Sequence, residues 1–253
     1  MRIALLIPTY NEAINIELLL KSLASTIATI PQVQFDIFVI DDSSPDGTAQ
    51  VALELNQQLK TDRFQIQVIN RAKKEGLGKA YINGFKTILS LNQPQDFVMQ
   101  MDADLSHSPK YLPQFIDAIK QGADFIVGSR YIPGGSAPNW GLHRKIASRG
   151  GNFYSQLMLG KRITDYTGGF NLYSIELLKR LDMQSIEQDG YGFLIGLKFK
   201  ASVHSKKIIE VPIQFMDREY GNSKMPISTI FKSFLFVTKM RLSYMLDQFK
   251  HKK

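Results

Sequence analysis

Phe35-Asp36-Ile37-Phe38-Val39-Ile40-Asp41-Asp42-Ser43-Ser44-Pro45-Asp46-Gly47-Thr48 is a short apolar run that breaks into acidic and turn-forming residues. Such a run, rich in β-branched and aromatic side chains, fits a strand buried on both faces. Pro45-Asp46-Gly47 is turn chemistry, and Asp46 or Thr48 suits the start of a helix. Val51, Leu55 and Leu59 then continue that helix at four-residue spacing. The same phrase recurs on either side. Strands are expected at 3–7, 64–69, 97–101 and 125–127, and helices at 15–25, 79–91 and 111–120. Strands alternating with helices predict an α/β fold, a mainly parallel sheet covered on both faces. Ligands bind such sheets beyond the carboxyl ends of the strands, so the loops there are the ones to inspect.

From Gly128 onward the alternation changes. Gly134-Gly135-Ser136-Ala137-Pro138-Asn139 reads as a loop, 144–159 as a helix and Thr167-Gly168-Gly169 as a turn. Helices follow at 175–181 and 193–202, and 207–215 reads as a strand that Pro212 confines to a sheet edge. There is no internal repeat or low-complexity tract. One catalytic domain over 1–225 with a helical tail over 226–253 is the expected organisation.

The composition is that of a globular chain: 253 residues, 44% hydrophobic and 21% charged. With zero cysteines, a disulfide framework, a zinc-thiolate centre and a cysteine nucleophile are excluded. Lys+Arg 31 against Asp+Glu 23 leaves +8, which favours anionic partners. The basic residues are dispersed and no aromatic-basic RNA motif occurs, which argues against nucleic acid. The apolar run after Met1-Arg2 stops at Pro8, too soon for a signal-peptide core. Lys232, Lys239 and Arg241 interrupt 226–249, which therefore does not read as a membrane span. A cytoplasmic protein touching a membrane from its surface is expected.

Three strand ends carry chemistry: Pro8-Thr9-Tyr10-Asn11-Glu12, the Asp41–Thr48 stretch, and Asp102-Ala103-Asp104-Leu105-Ser106-His107-Ser108-Pro109. Each alone has a plain reading as capping or turn residues. Together they converge on one edge. Asp102 and Asp104, two apart, can aim both carboxylates at one hard cation, Mg²⁺ or Mn²⁺, which commonly takes one or two carboxylates plus substrate phosphates. Such an ion offsets the charge of a departing diphosphate. Asp42, on the neighbouring strand end, can meet a ribose or base edge. Gly76-x-Gly78 lacks a third glycine and a preceding first strand, so a dinucleotide fingerprint is not expected, and no P-loop occurs.

These residues resemble family 2 glycosyltransferases of the GT-A fold, and more narrowly the dolichol-phosphate (polyprenol-phosphate) mannose synthases. The likeness also runs through Gly76-Leu77-Gly78-Lys79-Ala80-Tyr81, Gly128-Ser129-Arg130-Tyr131, 144–150, Asp165-Tyr166-Thr167-Gly168-Gly169-Phe170 and 217–224, in order. Ser44-Pro45-Asp46-Gly47-Thr48 and Arg218-Glu219-Tyr220-Gly221-Asn222-Ser223-Lys224 are its most discriminating strings. Two positions depart: the family often has Gly where Ser43 stands, and some members have a metal-binding Gln where Ser106 stands. Many bacterial members add C-terminal membrane spans; 226–253 does not read as one, so the expected likeness is to the type with the soluble domain alone.

The resemblance implies a nucleotide-sugar donor, GDP-mannose, and a polyprenyl-phosphate acceptor, with another sugar such as that of UDP-glucose, or a glycan acceptor, as the alternative. Pro8, Tyr10, Glu12 and Asp42 match family positions that contact the nucleotide, and Lys224 can meet a phosphate. The metal set is Asp102, Asp104 and Ser106. A phosphate monoester, with a second pKa near ~6, is already a strong nucleophile at neutral pH, so positioning and charge stabilisation carry the catalysis. Arg130, Arg144, Ser148 and Arg218 are expected to hold the acceptor phosphate, the arginines through paired hydrogen bonds. Asp165 falls at an acceptor-side carboxylate and is read as structural. His107 is read as a satisfied loop histidine, while His143, His204 and His251 carry no signal. The tail, with Ile227, Ile230, Phe231, Phe234, Leu235, Val237, Leu242, Met245, Leu246 and Phe249 among lysines and Arg241, is either packed on the body or a basic amphipathic helix lying on a membrane. A small membrane-anchoring subunit is the other route to the bilayer.

Overall fold

The computed structural model describes residues 1–253 except 184, 187–189, 217–226 and 251–253, with backbone alone at 191, 227–233 and 247–250. Its strands are β1 Arg2–Thr9, β2 Gln34–Asp41, β3 Phe64–Asn70, β4 Phe97–Gln100, β5 Phe125–Ser129, β6 Asn171–Ser174 and β7 Ile208–Pro212. Its helices are α1 Ala13–Ala28, α2 Thr48–Leu59, α3 Leu77–Leu89, α4 Leu112–Lys120, α5 Leu142–Leu159, α6 Ile175–Lys179, α7 Tyr191–His204 and α8 Ile227–Lys250. The strands form a single sheet ordered β3-β2-β1-β4-β6-β5-β7. β6 runs antiparallel to β4 and β5, and the other neighbours are parallel. The expected α/β class and mainly parallel sheet are what is found.

Successive side chains of a strand point to opposite faces, and β1 feeds two cores accordingly. Ile3, Leu5 and Ile7 pack with Ile16, Leu19 and Leu23 of α1, Leu55 of α2 and Phe115 of α4. Ala4 and Leu6 face the other way, into a core with Tyr81 and Phe85 of α3 and Phe193 and Leu197 of α7. Burial on both sides is why this strand reads as an unbroken apolar run. α3 lies close against the sheet because of Gly84: a Cβ there would sit 2.5 Å from Ile40 Cδ1.

β6 is the element that sequence pattern does not announce. Asn171-Leu172-Tyr173-Ser174 is short and half polar, and the segment reads as a turn leading into a helix. Leu172 enters one core and Tyr173 the other. The buried Gln100 Oε1 accepts from Asn171 Nδ2 at 3.3 Å and from the Tyr173 hydroxyl at 2.9 Å, tying β4 to β6. The reversed direction of β6 has a functional result. Its beginning, rather than its end, lies at the carboxyl edge of the parallel strands, so residues 165–170 are delivered there.

Smaller boundaries also move: the helix expected at 175–181 closes at Lys179, and that expected at 193–202 spans Tyr191–His204. Pro212 ends β7 at the sheet edge, as its missing N–H requires. α8 packs on the body, where Tyr154 and Phe234 rings lie 4.6 Å apart and Phe199 meets Tyr244 edge-on at 5.3 Å. Val237 is buried there, while Leu235, Leu242 and Leu246 face out. Among the described residues no helix is long and apolar enough to cross a membrane.

Candidate active site

The two adjacent acids that end β2 have different fates. Asp41 is buried and accepts from Thr9 Oγ1 at 2.9 Å and from the Ser44 N–H and hydroxyl at 2.8 and 2.6 Å, which pins the β1 and β2 loops together. Asp42 lines the cleft and pairs with Arg71 Nη1 at 2.5 Å. Burial pushes the Asp42 carboxyl up, with Arg71 opposing. Arg71 also reaches Glu75 at 3.1 Å. Asp46 accepts from the N–H of Ala13 at 3.0 Å and of Thr48 at 3.1 Å, and Thr48 Oγ1 accepts from Glu12 N–H at 3.0 Å. These two residues therefore stitch the loop after β1 to the loop after β2, a larger role than starting α2.

Asn11, Ser43 and Leu105 hold positive φ of 55°, 56° and 64°, one in each of the three strand-end loops. For side chains other than glycine this is strained backbone, of the kind that collects at functional sites. At Ser43 the left-handed conformation is one that glycine adopts without strain, which agrees with the glycine that the family resemblance implies there.

The third loop aims Asp102 and Asp104 at the cleft. The Asp102 side chain is 32% exposed. Asp104 is buried and accepts from Ser106 N–H at 3.2 Å and Ser106 Oγ at 2.5 Å. Ser106 is fully buried behind it, so its hydroxyl positions Asp104 instead of lining the cleft. His107 is buried, stacked on Phe170 at 5.1 Å, and its Nδ1 accepts the Asp102 N–H at 3.0 Å. Burial lowers its pKa against the pull of Asp102, so the ring is neutral with its proton on Nε2. That Nε2 is buried without a hydrogen-bond partner among the described residues, so the expectation of a satisfied histidine holds for one nitrogen only. Gly169, brought in by β6, allows the loops to close: a Cβ there would lie 3.2 Å from Asp102 Oδ1 and 3.3 Å from His107 Cε1.

Opposite these carboxylates stands a cationic, aromatic wall. Arg130, at the end of β5, is fastened to the fully buried Asp165 by Nε and Nη2 bonds of 2.8 Å each and by its own N–H at 3.1 Å. Asp165 also accepts from Gly168 N–H at 2.9 Å, and its backbone carbonyl accepts from Lys198 Nζ at 2.6 Å. Burial alone would raise the Asp165 carboxyl, but the charge and hydrogen bonds of Arg130, with Lys198, hold it well below the usual carboxylate range. Burial in turn brings Lys198 down to about 8. Asp165 is thus a carboxylate saturated by its own hydrogen bonds, which is the arrangement of a structural anchor. Trp140 sits between two cations, with Arg144 over its ring at 4.1 Å and Arg130 at 5.2 Å. Ser148 Oγ and the Tyr131 hydroxyl lie 2.6 Å apart.

The cleft between these walls, about 360 Å³, brings together Pro8, Tyr10, Glu12, Asp42, Asp102, Asp104, Arg130 and Arg144. Ser148 lines a second, apolar cavity of about 140 Å³ between α5, α7 and α8. The two cavities meet at Trp140, Arg144 and Thr167. Arg218 and Lys224 fall outside the described residues. Sequence reading missed Arg71, Trp140, Lys198 and Lys74, whose ammonium lies 3.9 Å over the Tyr10 ring. The lone tryptophan in a Gly/Pro-rich loop was the available signal; the others are cations in ordinary contexts.

Among the described residues no group of three histidine or acidic side chains gathers as a self-contained metal cage. Two carboxylates on one turn, both lining the cleft, suit a hard divalent ion that completes its shell from phosphate oxygens and water.

The match to a model of Glycosyl transferase family 2 covers residues 4–182. The chain is similar to an undecaprenyl-phosphate mannosyltransferase of Micrococcus luteus, 38% identical over 96% of this chain and 95% of the relative. It is likewise 38% identical to a polyprenol monophosphomannose synthase of Mycolicibacterium smegmatis, over 98% of this chain and 89% of that one. Among solved structures, glucosyl-3-phosphoglycerate synthase of Mycobacterium tuberculosis with Mn²⁺, uridine diphosphate and glucosyl-3-phosphoglycerate superposes with a TM-score of 0.61. At 19% identity, over 96% of this chain and 79% of that one, it speaks to the fold. A strand-end cleft of this shape, together with these matches over nearly the whole chain, places the protein among the family 2 glycosyltransferases.

Proposed function

We propose that the protein transfers mannose from GDP-mannose to a polyprenyl phosphate, with inversion at the sugar carbon, at the cytoplasmic surface of a membrane. The observation that carries this reading is the junction of two unlike cavities at Trp140, Arg144 and Thr167. An acceptor with a charged head and an apolar tail is the chemistry that fits both at once. The relatives named as acting on undecaprenyl phosphate and polyprenol point the same way.

In this reading Pro8, Tyr10, Glu12 and Asp42 receive the nucleotide, with Lys224 and the Lys74–Tyr10 pair beside the phosphates. Asp102 and Asp104 hold Mg²⁺ or Mn²⁺ against the donor diphosphate, and Ser106 fixes Asp104. When bound, that ion offsets the negative charge that grows on the leaving diphosphate. Arg144, Arg130 and Arg218 orient the acceptor phosphate, Trp140 keeping Arg144 in line. One phosphate oxygen attacks the anomeric carbon from the face opposite the diphosphate. The new C–O bond forms as the old one breaks, and GDP leaves. The attacking oxygen carries no proton at neutral pH, so no base is needed. Asp165 serves by holding Arg130 still.

Radiolabelled GDP-mannose with polyprenyl phosphate, read by organic extraction, tests the whole reaction. Label in the organic phase is expected only with a divalent ion, and full turnover in chelator overturns the metal assignment. A thermal-shift panel of GDP, UDP and their sugars with Mn²⁺ tests the donor. Stabilisation by UDP-glucose in place of GDP-mannose replaces the donor and leaves the lipid acceptor standing.

A further inference from the structure

Outside both cavities, α5 carries a line of apolar side chains turned to solvent. Leu142, Ile146, Phe153 and Leu157 are 73%, 62%, 66% and 67% exposed. Their spacings of four, seven and four residues put them within about 60° of the helix circumference, given ~100° per residue. Single exposed apolar residues are ordinary, but large side chains aligned along most of a helix mark a contact surface. Leu142–Leu159 contains no Asp or Glu, whereas it contains Arg144, Lys145 and Arg149. Arg149 borders the apolar line, about 20° outside that arc. Two pockets of about 340 and 180 Å³ flank it, both walled by Arg149, Tyr131 and Gly135, with Lys145 in the smaller and Phe153 in the larger.

We propose that the outward face of α5 is a docking surface for an anionic lipid bilayer. The apolar line enters the region between headgroups and acyl chains, and Lys145 and Arg149 take lipid phosphates. Charge selects this occupant over a second copy of the chain. A symmetric pair of α5 helices would face cation to cation, whereas an anionic leaflet complements the face. The surface serves the lipid acceptor proposed above, because the inner side of the same helix presents Arg144 to the junction of the two cavities and Ser148 to the apolar one. Docking through α5 thus sets that junction at the bilayer without relying on the tail.

The chain has no cysteine, so one introduced thiol reports one place. An environment-sensitive dye on Phe153→Cys is expected to shift to the blue when vesicles of phosphatidylcholine and phosphatidylglycerol are added. The same dye on Leu53→Cys, exposed on α2, is expected to stay unchanged. No shift at position 153 overturns the proposal. In co-sedimentation with the same vesicles, the combined variant L142S/I146S/F153S/L157S is expected to bind about tenfold or more weakly than the unaltered chain. K145E/R149E is expected to lose binding to anionic vesicles while binding to pure phosphatidylcholine is unchanged. Binding lost only in L235S/L242S/L246S, with the α5 variant intact, assigns docking to α8 and overturns the proposal. So does a dimer in ultracentrifugation that the α5 variant dissociates without any change in vesicle binding. The vesicles contain neither donor nor polyprenyl phosphate, so none of these outcomes depends on the transfer reaction.

Discussion

Asp102 and Asp165 stand on the same edge of the same sheet, and the fold uses them in opposite ways. Asp102 keeps a third of its side chain exposed to the cleft, with a neutral histidine behind its backbone. Asp165 is fully buried and filled by Arg130, backbone N–H groups and the reach of Lys198. One carboxylate opens onto the cleft; the other is enclosed by its hydrogen-bond partners. Asp104, two residues on, is buried yet still lines the cleft, so of the two acids on that turn Asp102 is the one open to solvent. A carboxylate meant to fix an arginine gains from burial, because the pair is screened less there.

The sharpest break of this contrast comes from paired substitutions. Asp165→Asn strands a buried arginine and is expected to cost about 3–5 kcal/mol in denaturant unfolding. Asp102→Asn is expected to lower turnover on the order of 10³-fold, taking a lost electrostatic contact at the reacting centre as ~4 kcal/mol. Its melting temperature is expected to change little. Equal destabilisation by the two would erase the distinction. Next in size is Gly169→Ala, whose added methyl must displace Asp102 Oδ1 or His107 Cε1 by a few tenths of an ångström. A loss of about tenfold in kcat is expected, since small misplacements at a reacting site are costly. KM for a soluble donor is the control.

Titration separates the two sides without mutation. Burial lowers the His107 pKa in the folded chain, so the unfolded chain takes up the proton first as pH falls. Stability from this group is full above the unfolded value of about 6.5 and is lost as pH drops below it. Asp165 is shifted below its ordinary value, so its contribution stays intact until pH falls under about 3.9. Denaturant melts between pH 7 and 5.5 are expected to lose on the order of 1 kcal/mol, and less in His107→Gln. His204, shifted the same way by burial, keeps part of the slope in that variant. The smallest effect belongs to Ser43→Gly. Relief at φ 56° opposes loss of the 2.5 Å bond from Ser43 Oγ to the Arg71 carbonyl, so stability should move by less than about 1 kcal/mol.

The carboxylate wall of the cleft is far more legible in the sequence than the arginine wall, for a physical reason. A parallel strand buried on both faces writes an apolar run into the chain and ends at the site, so Asp42, Asp102 and Asp104 are found by walking to the end of each run. Arg130, Arg144 and the carboxylate Asp165 are legible in the sequence, but the rest of their surroundings are not. Trp140 and Thr167 reach them from a loop and from the turn before β6, and Lys198 of α7 holds the Asp165 carbonyl behind Arg130. Lys198 gives no pattern signal, because it and Lys200 both look like surface residues of α7 until the helix is placed and Lys198 is found fully buried. β6 hid because its burial is divided between two cores, one residue to each.

The bonds from Asn171 and Tyr173 to Gln100 turn β6 into a ruler. Sliding it by one residue along β4 would move Gly169 about 3.3 Å from Asp102 and swap Leu172 and Tyr173 between compartments that fit neither. The spacing between the carboxylate-bearing and arginine-bearing halves of the cleft is therefore graduated in whole peptide units, leaving no near-miss assembly that is nearly as good.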